Sequence, residues 1–295
     1  MRFAIVAHRT GETNLGLTTR RWQRFDPLLL TPREALATLR RGDAALGRLD
    51  IREELDGIED GLWALSELSA AGVAVLNPPA ALISAHDKLV TARALRRAGL
   101  PHPETRPLNA WEEPPGCGSF PVVVKPRFGS WGRDVRLCRD RDALERCLEQ
   151  LSRRAWFRSH GGLVQELIPP LGHDLRLVVA GGTVVGAVKR VAAPGEWRTN
   201  VALGASREPV VPAPIARELA VAAASAVGGD LVGVDLLPLG PGRYVVLEIN
   251  AAVDFSPEYS LDDDVFDGVV AALVRRVGAS PNSLPPPEQQ AVAAA

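Results

Sequence analysis

Residues 231–250, LVGVDLLPLGPGRYVVLEIN, are the part of this chain with the fewest ways to fold. Two runs rich in β-forming residues flank Gly240-Pro241-Gly242, which turns a chain back on itself as an antiparallel hairpin. A two-residue turn at Pro241-Gly242 sets Gly240 opposite Arg243. Counting back, Leu236 then faces Leu247 and Asp235 faces Glu248. Side chains alternate along a strand, so Asn250 shares the face of Glu248. Val234, Leu236, Val246 and Leu247 mark both strands as buried, and like charges placed opposite each other destabilise a sheet unless something neutralises them. A divalent cation does so, and hard oxygen donors select magnesium over zinc. The plainer reading is two unrelated acids on a solvated face. It holds if Pro238 forces a bulge or the register slips by one residue, because a slip sends Asp235 to the other side.

A second stretch, VVVKPRFGSWGRDV over 122–135, supplies what a polyphosphate needs. The valines suit an interior strand, and Pro126 ends its ladder because it has no amide hydrogen. Gly129 and Gly132 then allow a sharp turn or a close approach to a ligand. A loop of bare amides beside Lys125 can cradle phosphates. A turn beside a surface lysine reads the same way, so both interpretations stand on these residues alone.

The remaining pattern is mixed α/β. Through about Asn77 it shows a strand over 2–7, helical patterns near 33–40 and 61–71, and a strand VAVLN; Pro78 and Pro79 then mark a boundary. One helix is expected over 80–97, stopped by Gly99 and Pro101. Residues 108–119 read as a linker, followed by strand, glycine loop, strand, and a helix over 141–154. GLVQELI, DLRLVVA and TVVGAVKRV read as strands, the last two joined at Gly181-Gly182. Helices are expected over 215–227 and 264–277, then a disordered proline- and alanine-rich tail.

With 295 residues, more than one lobe is expected. A net charge of -1 argues against nucleic acid as the main partner, and no apolar run approaches a membrane span. MRFAIVAHRT reads as a strand rather than a signal peptide. Cys117, Cys138 and Cys147 form no CxxC pair, which fits a reducing cytoplasm, and the five scattered histidines have no metal-ligand spacing.

A lysine and glycine loop early with D…ExN in a hairpin late is similar to the ATP-grasp superfamily. LNPPAALISAHDKLVTARALRRAGLPHP, VQELI, GHDLRLVVAGGTVVGAVKR and EWRTN resemble its RimK branch, and GSWGR with RTNVALGA resembles the LysX-type ligases. The resemblance covers about residues 76–256. It implies an ATP-grasp fold: an N-terminal α/β domain (1–78), a helical linker and small lobe (79–165), and a C-terminal antiparallel-sheet lobe (166–279), with 280–295 as the tail. It implies an ATP- and magnesium-dependent ligase, with one or two Mg2+ and Mn2+ as an admissible substitute. Such an enzyme joins a carboxylate to an amino acid amine through an acyl phosphate.

The roles implied by position are as follows. Lys88 and Lys125 contact phosphates; Gly129, Ser130, Trp131 and Gly132 close over them. Gln165, Glu166, Leu167 and Ile168 form the adenine hinge, and Asp174 contacts the ribose or nucleotide. Arg176, Arg190, Arg198 and Asn200 line the phosphate and carboxylate site; Asp235, Glu248 and Asn250 hold the metal. Lys189 is expected on the other face of its strand. The active-site reading of Arg176 and Arg190 is preferred to that of exposed cross-strand partners, while Trp131 reads equally as a surface anchor for its loop.

The carboxylate partner is either an acidic carrier-protein or peptide tail or a small molecule. An acidic tail would want a basic rim, which Arg20, Arg21 and Arg24 could supply if they are not merely solvated. After ExN the RimK branch continues with a small residue, proline and glycine, whereas this chain reads NAAVDFSPEYS, so both substrates stay open. A non-catalytic ATP-binding regulator is the reading of another class. The resemblance also implies a homodimer or homotetramer.

Overall fold

The computed structural model describes residues 1–109 and 119–278. The expected tail, and all of the expected linker except Leu108, Asn109 and Ser119, lie outside the described residues. The first unit alternates strand and helix: β1 (Arg2–Val6), α1 (Glu12–Thr18), β2 (Asp26–Leu30), α2 (Pro32–Thr38), β3 (Ala44–Gly47), α3 (Leu62–Ala70) and β4 (Ala74–Leu76). Its four strands form a parallel sheet in the order β2-β1-β3-β4. α2 starts where TPRE predicts a capped helix. Thr31 accepts from the Glu34 amide, and the Glu34 carboxylate accepts from the Thr31 amide. The pattern reading misses α1, β2 and β3. β3 is Ala-Ala-Leu-Gly, which has little strand preference of its own; it is a strand because it is buried between β1 and β4.

The helix expected over 80–97 is two, α4 (Pro79–His86) and α5 (Lys88–Arg97). Asp87 between them is extended, and its carboxylate accepts from the amides of Leu89 and Val90. An aspartate there satisfies orphan amides of a new helix better than it continues an old one.

The small lobe follows: β5 (Thr105–Leu108), β6 (Val122–Pro126), β7 (Arg136–Cys138), α6 (Arg141–Leu151), α7 (Ala155–His160) and β8 (Gly162–Glu166), with an antiparallel sheet β5-β8-β6-β7. Val122 and Val124 join its core with Leu144, Leu151, Trp156 and Phe157, which leaves Val123 and Lys125 on the opposite, cleft-facing side.

The third unit is β9 (His173–Ala180), β10 (Thr183–Val191), β11 (Ser206–Pro209), α8 (Pro214–Ala226), β12 (Leu231–Gly240), β13 (Arg243–Asn250) and α9 (Val265–Gly278). Its antiparallel sheet runs β11-β10-β9-β12-β13, with Gly181 and Gly182 both at positive φ in the β9–β10 turn. Asn77 ties this unit to the first. Its side chain accepts from the amides of Asp230 and Leu231 and donates to the Leu231 carbonyl. No helix of the described residues is long and apolar enough to cross a membrane.

The register of the last hairpin is half as expected. Asp235 pairs with Glu248, and Gly240 with Arg243, but Leu236 pairs with Val246 rather than Leu247. Irregularities lie between Pro238 and Gly240 and between Asp235 and Leu236. Leu239 on one strand and Leu247 on the other are the extra residues, so the two slips cancel before Asp235 is reached. A bulge re-aims its side chain, and Leu247 lines the cleft described next.

Candidate active site

Cross-strand register gathers five charged residues on one face of the large sheet. Arg190 sits opposite Asp174, Asp235 opposite Arg176, and Glu248 opposite Asp235. Arg176 grips Asp235 through Nε and Nη2, both at 2.7 Å, and Arg190 adds a bond to Asp235 at 2.8 Å. Arg190 also clasps Asp174 through Nε at 2.8 Å and through Nη2. Burial by itself raises the Asp235 carboxyl pKa; the two guanidiniums outweigh it and hold the group well below the usual carboxylate range.

This modifies two expectations. Asp174 is fully buried, with its carboxylate on Arg190 and on the Thr199 hydroxyl at 2.6 Å, and it borders the cleft with those partners attached. Asp235 is equally buried and already receives three N–H groups. Arg176 and Arg190 are partners of these acids rather than exposed strand residues. Lys189 points the other way, to Glu208 at 3.0 Å.

The two lysines approach from the opposite side. Lys88, the first residue of α5, donates to the Gly129 carbonyl at 2.7 Å and lies 3.3 Å from Glu248 Oε2. Lys125 is 5% exposed and donates to Gln165 Oε1 at 2.7 Å. Gln165 in turn donates to the Thr105 hydroxyl, which lies 3.2 Å from His102 Nε2; His102 donates from Nδ1 to the Val246 carbonyl at 2.7 Å. A chain of side chains thus links Lys125 to β13. Burial and the neighbouring Lys88 push the Lys125 ammonium down to about 7, with Glu248 opposing them.

Nucleotide binding should therefore take up a proton on Lys125. Phosphates raise its pKa, so affinity is full below pH 7 and falls as pH rises, by up to about tenfold per unit while only the bound form is protonated. Calorimetric titration with ADP between about pH 6 and 9 checks this, and Lys125→Met should flatten the profile.

The glycine loop has left-handed backbone at Trp131, Gly132 and Asp134. Gly132, at φ +70, is required twice over: a Cβ there would lie 2.8 Å from Asn200 Oδ1. Arg198 donates to the Gly132 carbonyl at 3.2 Å and is held by Glu196, whose carboxyl it lowers to about 2. Arg198 and Asn200 therefore meet the loop itself. Trp131 is 57% exposed, with the Arg133 guanidinium 5.9 Å from its ring. Asp87 and Arg127 were not anticipated. The Arg127 fork holds Asp87 at 2.6–2.9 Å, anchoring the loop to the start of α5. The signal was present: an aspartate directly before a helix-opening lysine is an N-cap.

Two cavities meet at these groups. The cleft between the lobes carries Lys125, Gly129, Gly132 and Asp235 beside an apolar slot of Val123, Leu167, Ile168, Leu237 and Leu247. Gln165 and Glu166 border it, and Glu166 accepts from the Glu104 amide at 3.3 Å. Leu237 and Leu247 escape a sequence reading because the bulge decides where they point. The second cavity contains Arg176, Asn250 and residues of the first unit. Ser130, Trp131, Arg190, Asn200 and Glu248 border both. An apolar slot for a flat ring, opening onto lysines and a glycine loop, is the form of a nucleotide triphosphate site.

Residues 85–262 match the RimK-like ATP-grasp domain. The chain belongs to the RimK-like ATP-grasp family. It is 33% identical over 221 residues to a glutamate–LysW ligase ArgX of Sulfurisphaera tokodaii, covering 72% of this chain and 76% of that one. It is 35% identical over 196 residues to a tetrahydromethanopterin:α-L-glutamate ligase of Methanosarcina acetivorans, covering 62% of this chain and 59% of that one. Its fold is similar to that of a D-alanine–D-alanine ligase from Bacillus anthracis complexed with ATP, with a TM-score of 0.67, 17% identity, and 94% of this chain and 99% of that chain covered. The protein is an ATP-grasp carboxylate–amine ligase, an enzyme of the class that forms amide bonds with ATP.

Proposed function

We propose that this ATP-grasp ligase makes an acyl phosphate from a carboxylate and converts it to an amide with an amino acid amine, releasing ADP and phosphate. The observation that carries the reading is Lys88, which joins the glycine-loop carbonyl to Glu248 where the two cavities meet. ATP enters the cleft, its base in the apolar slot and its phosphates toward Lys125 and the loop. The carboxylate substrate attacks the γ-phosphate in line, and the charge spread over the phosphoryl oxygens faces Lys88, Lys125 and Arg190. Arg190 contributes a planar fork whose Nη1 is not spent on Asp174 or Asp235. The amine attacks the acyl carbon from the second cavity, and the tetrahedral intermediate collapses to amide and phosphate. The loop of Gly129 to Gly132 excludes water, which would hydrolyse the acyl phosphate.

The donor set fits a hard divalent cation. Asp235 and Glu248 face each other across the hairpin, and Asn250, two residues beyond Glu248 on β13, brings an amide oxygen. Magnesium held by these three residues would supply neutralisation of the phosphate charge.

Two carboxylate partners are consistent with the family. An acidic protein tail follows the LysW ligase relative; a small molecule follows the tetrahydromethanopterin ligase. One observation favours the second. Arg20, one of the three arginines that could supply a basic rim with Arg21 and Arg24, is engaged by Asp264 at 3.2 Å and Asp267 at 3.8 Å. A screen of free amino acids and glutamate-ending peptides as acids, with Mg-ATP and hydroxylamine as the trapping amine, should release ADP and phosphate. AMP and pyrophosphate would remove the acyl-phosphate route.

A further inference from the structure

The second cavity has an end that phosphate chemistry does not use, formed by Asp50, His86 and Asp254. Asp50 lies just beyond the carboxyl end of β3, where the parallel sheet changes direction between β1 and β3. Open α/β sheets take ligands in that crevice. The neighbouring charges are largely matched: Arg176 and Arg190 by Asp235 and Asp174, Lys88 by Glu248, Arg207 by Glu258 at 3.4 Å, while the buried Arg48 lies 3.8 Å from Asp254 and is also within electrostatic reach of Asp50, so two carboxylates share one guanidinium and one negative charge is left over. Among the described residues no cation lies within 4.0 Å of Asp50. One of its oxygens accepts from the Ile51 amide at 2.7 Å; the other has no protein partner there.

His86 is 2% exposed and bonds through Nε2 to the Leu49 carbonyl at 2.9 Å. A carbonyl only accepts, so the proton is on Nε2. Burial keeps the ring neutral, its pKa pushed down to about 4, and Nδ1 is left as an acceptor without a protein partner among the described residues. Asp50 and Lys88 both lie close enough to bias that ring, which puts the pair near the Lys88–Glu248 contact.

We propose that Asp50 and His86 Nδ1 form the ammonium subsite for the amine substrate, so that the acceptor is a basic rather than an acidic amino compound. The side chains lining this end, Asp50, His86 and Asp254, present acceptors, with the Arg48 guanidinium buried behind the two carboxylates, and an ammonium group brings only donors. A side-chain carboxylate, as in glutamate, would meet Asp50 and Asp254 and be repelled. This rests on the ligase reading.

The test uses the full chain with Mg-ADP, titrated with L-lysine and with L-glutamate by calorimetry. Lysine is expected to bind at least about tenfold more tightly than glutamate. Asp50→Asn keeps the oxygen that accepts from Ile51; it should weaken lysine about tenfold or more and leave the ADP affinity unchanged. Asp254→Asn, at an exposed site, should weaken lysine about threefold. Equal binding to wild type and Asp50→Asn, glutamate binding as tightly as lysine, or no binding of either would overturn the subsite. Asp50-dependent lysine binding by a protein that never consumes ATP would leave the subsite standing and remove the ligase reading instead.

Discussion

Glu248→Gln is expected to lower turnover by about 10³-fold or more while the protein stays folded. The replacement keeps the shape and one oxygen but removes the charge that faces Lys88 at 3.3 Å and opposes the downward push on Lys125. Two consequences follow together. A magnesium ion held as proposed would lose its most accessible carboxylate, since Asp235 is already occupied by arginines. Lys125 also loses its only favourable charge named among the causes of its shift, so its pKa drops further and neutral-pH nucleotide binding weakens. ADP release at saturating ATP, measured against magnesium concentration, reads the first; the pH profile of ADP affinity reads the second. Wild-type turnover in this variant would reject the metal role.

Asp235→Asn should cost stability instead, about 3–5 kcal/mol, because it leaves the Arg176 guanidinium buried without a counter-charge. Arg190 keeps Asp174 and suffers less. The urea midpoint measures the loss. Glu208→Gln breaks the exposed pair with Lys189 and should cost under about 1 kcal/mol, so equal shifts for the two variants would contradict the buried-cluster account. The sign of the pH dependence follows from the depressed pKa of Asp235. Its contribution is present above the unfolded value near pH 4 and is lost as pH falls below it, so wild type and Asp235→Asn should converge in stability at low pH.

The residues proposed to perform the chemistry each carry a local signature in the sequence. Lys125 follows three valines, the glycines come where the loop must turn, and Asp235 and Glu248 flank a short turn from which counting reaches the observed pair because two slips cancel on the way. The same counting failed at Leu236. Pro238 signalled the bulge beside it, but the one between Asp235 and Leu236 leaves no trace in composition, and there Leu247 is the extra residue. β2 and β3 were invisible for a related reason. β3 takes its strand character from neighbours on both sides, and β2, at the sheet edge, takes it from β1 alone.

The partners of the site residues were also out of reach. Arg176 and Asp235 stand 59 positions apart, and Lys125 and Gln165 stand 40 apart. Nothing in a one-dimensional pattern says that Asp235 is enclosed by two guanidiniums or that Asp174 turns inward to Arg190.

By itself the sequence settled which side chains are chemically able to grip a phosphate and a cation, because residue type and spacing along a single strand or loop fix that. Only the tertiary structure decided which of those groups are free to do so, since charge neutralisation depends on neighbours distant in the chain. The same holds for Asp50 and His86. Asp50 belongs to none of the sequence motifs, and it meets His86 at one end of a cavity because the last residue of α4 bonds back to the Leu49 carbonyl beside it.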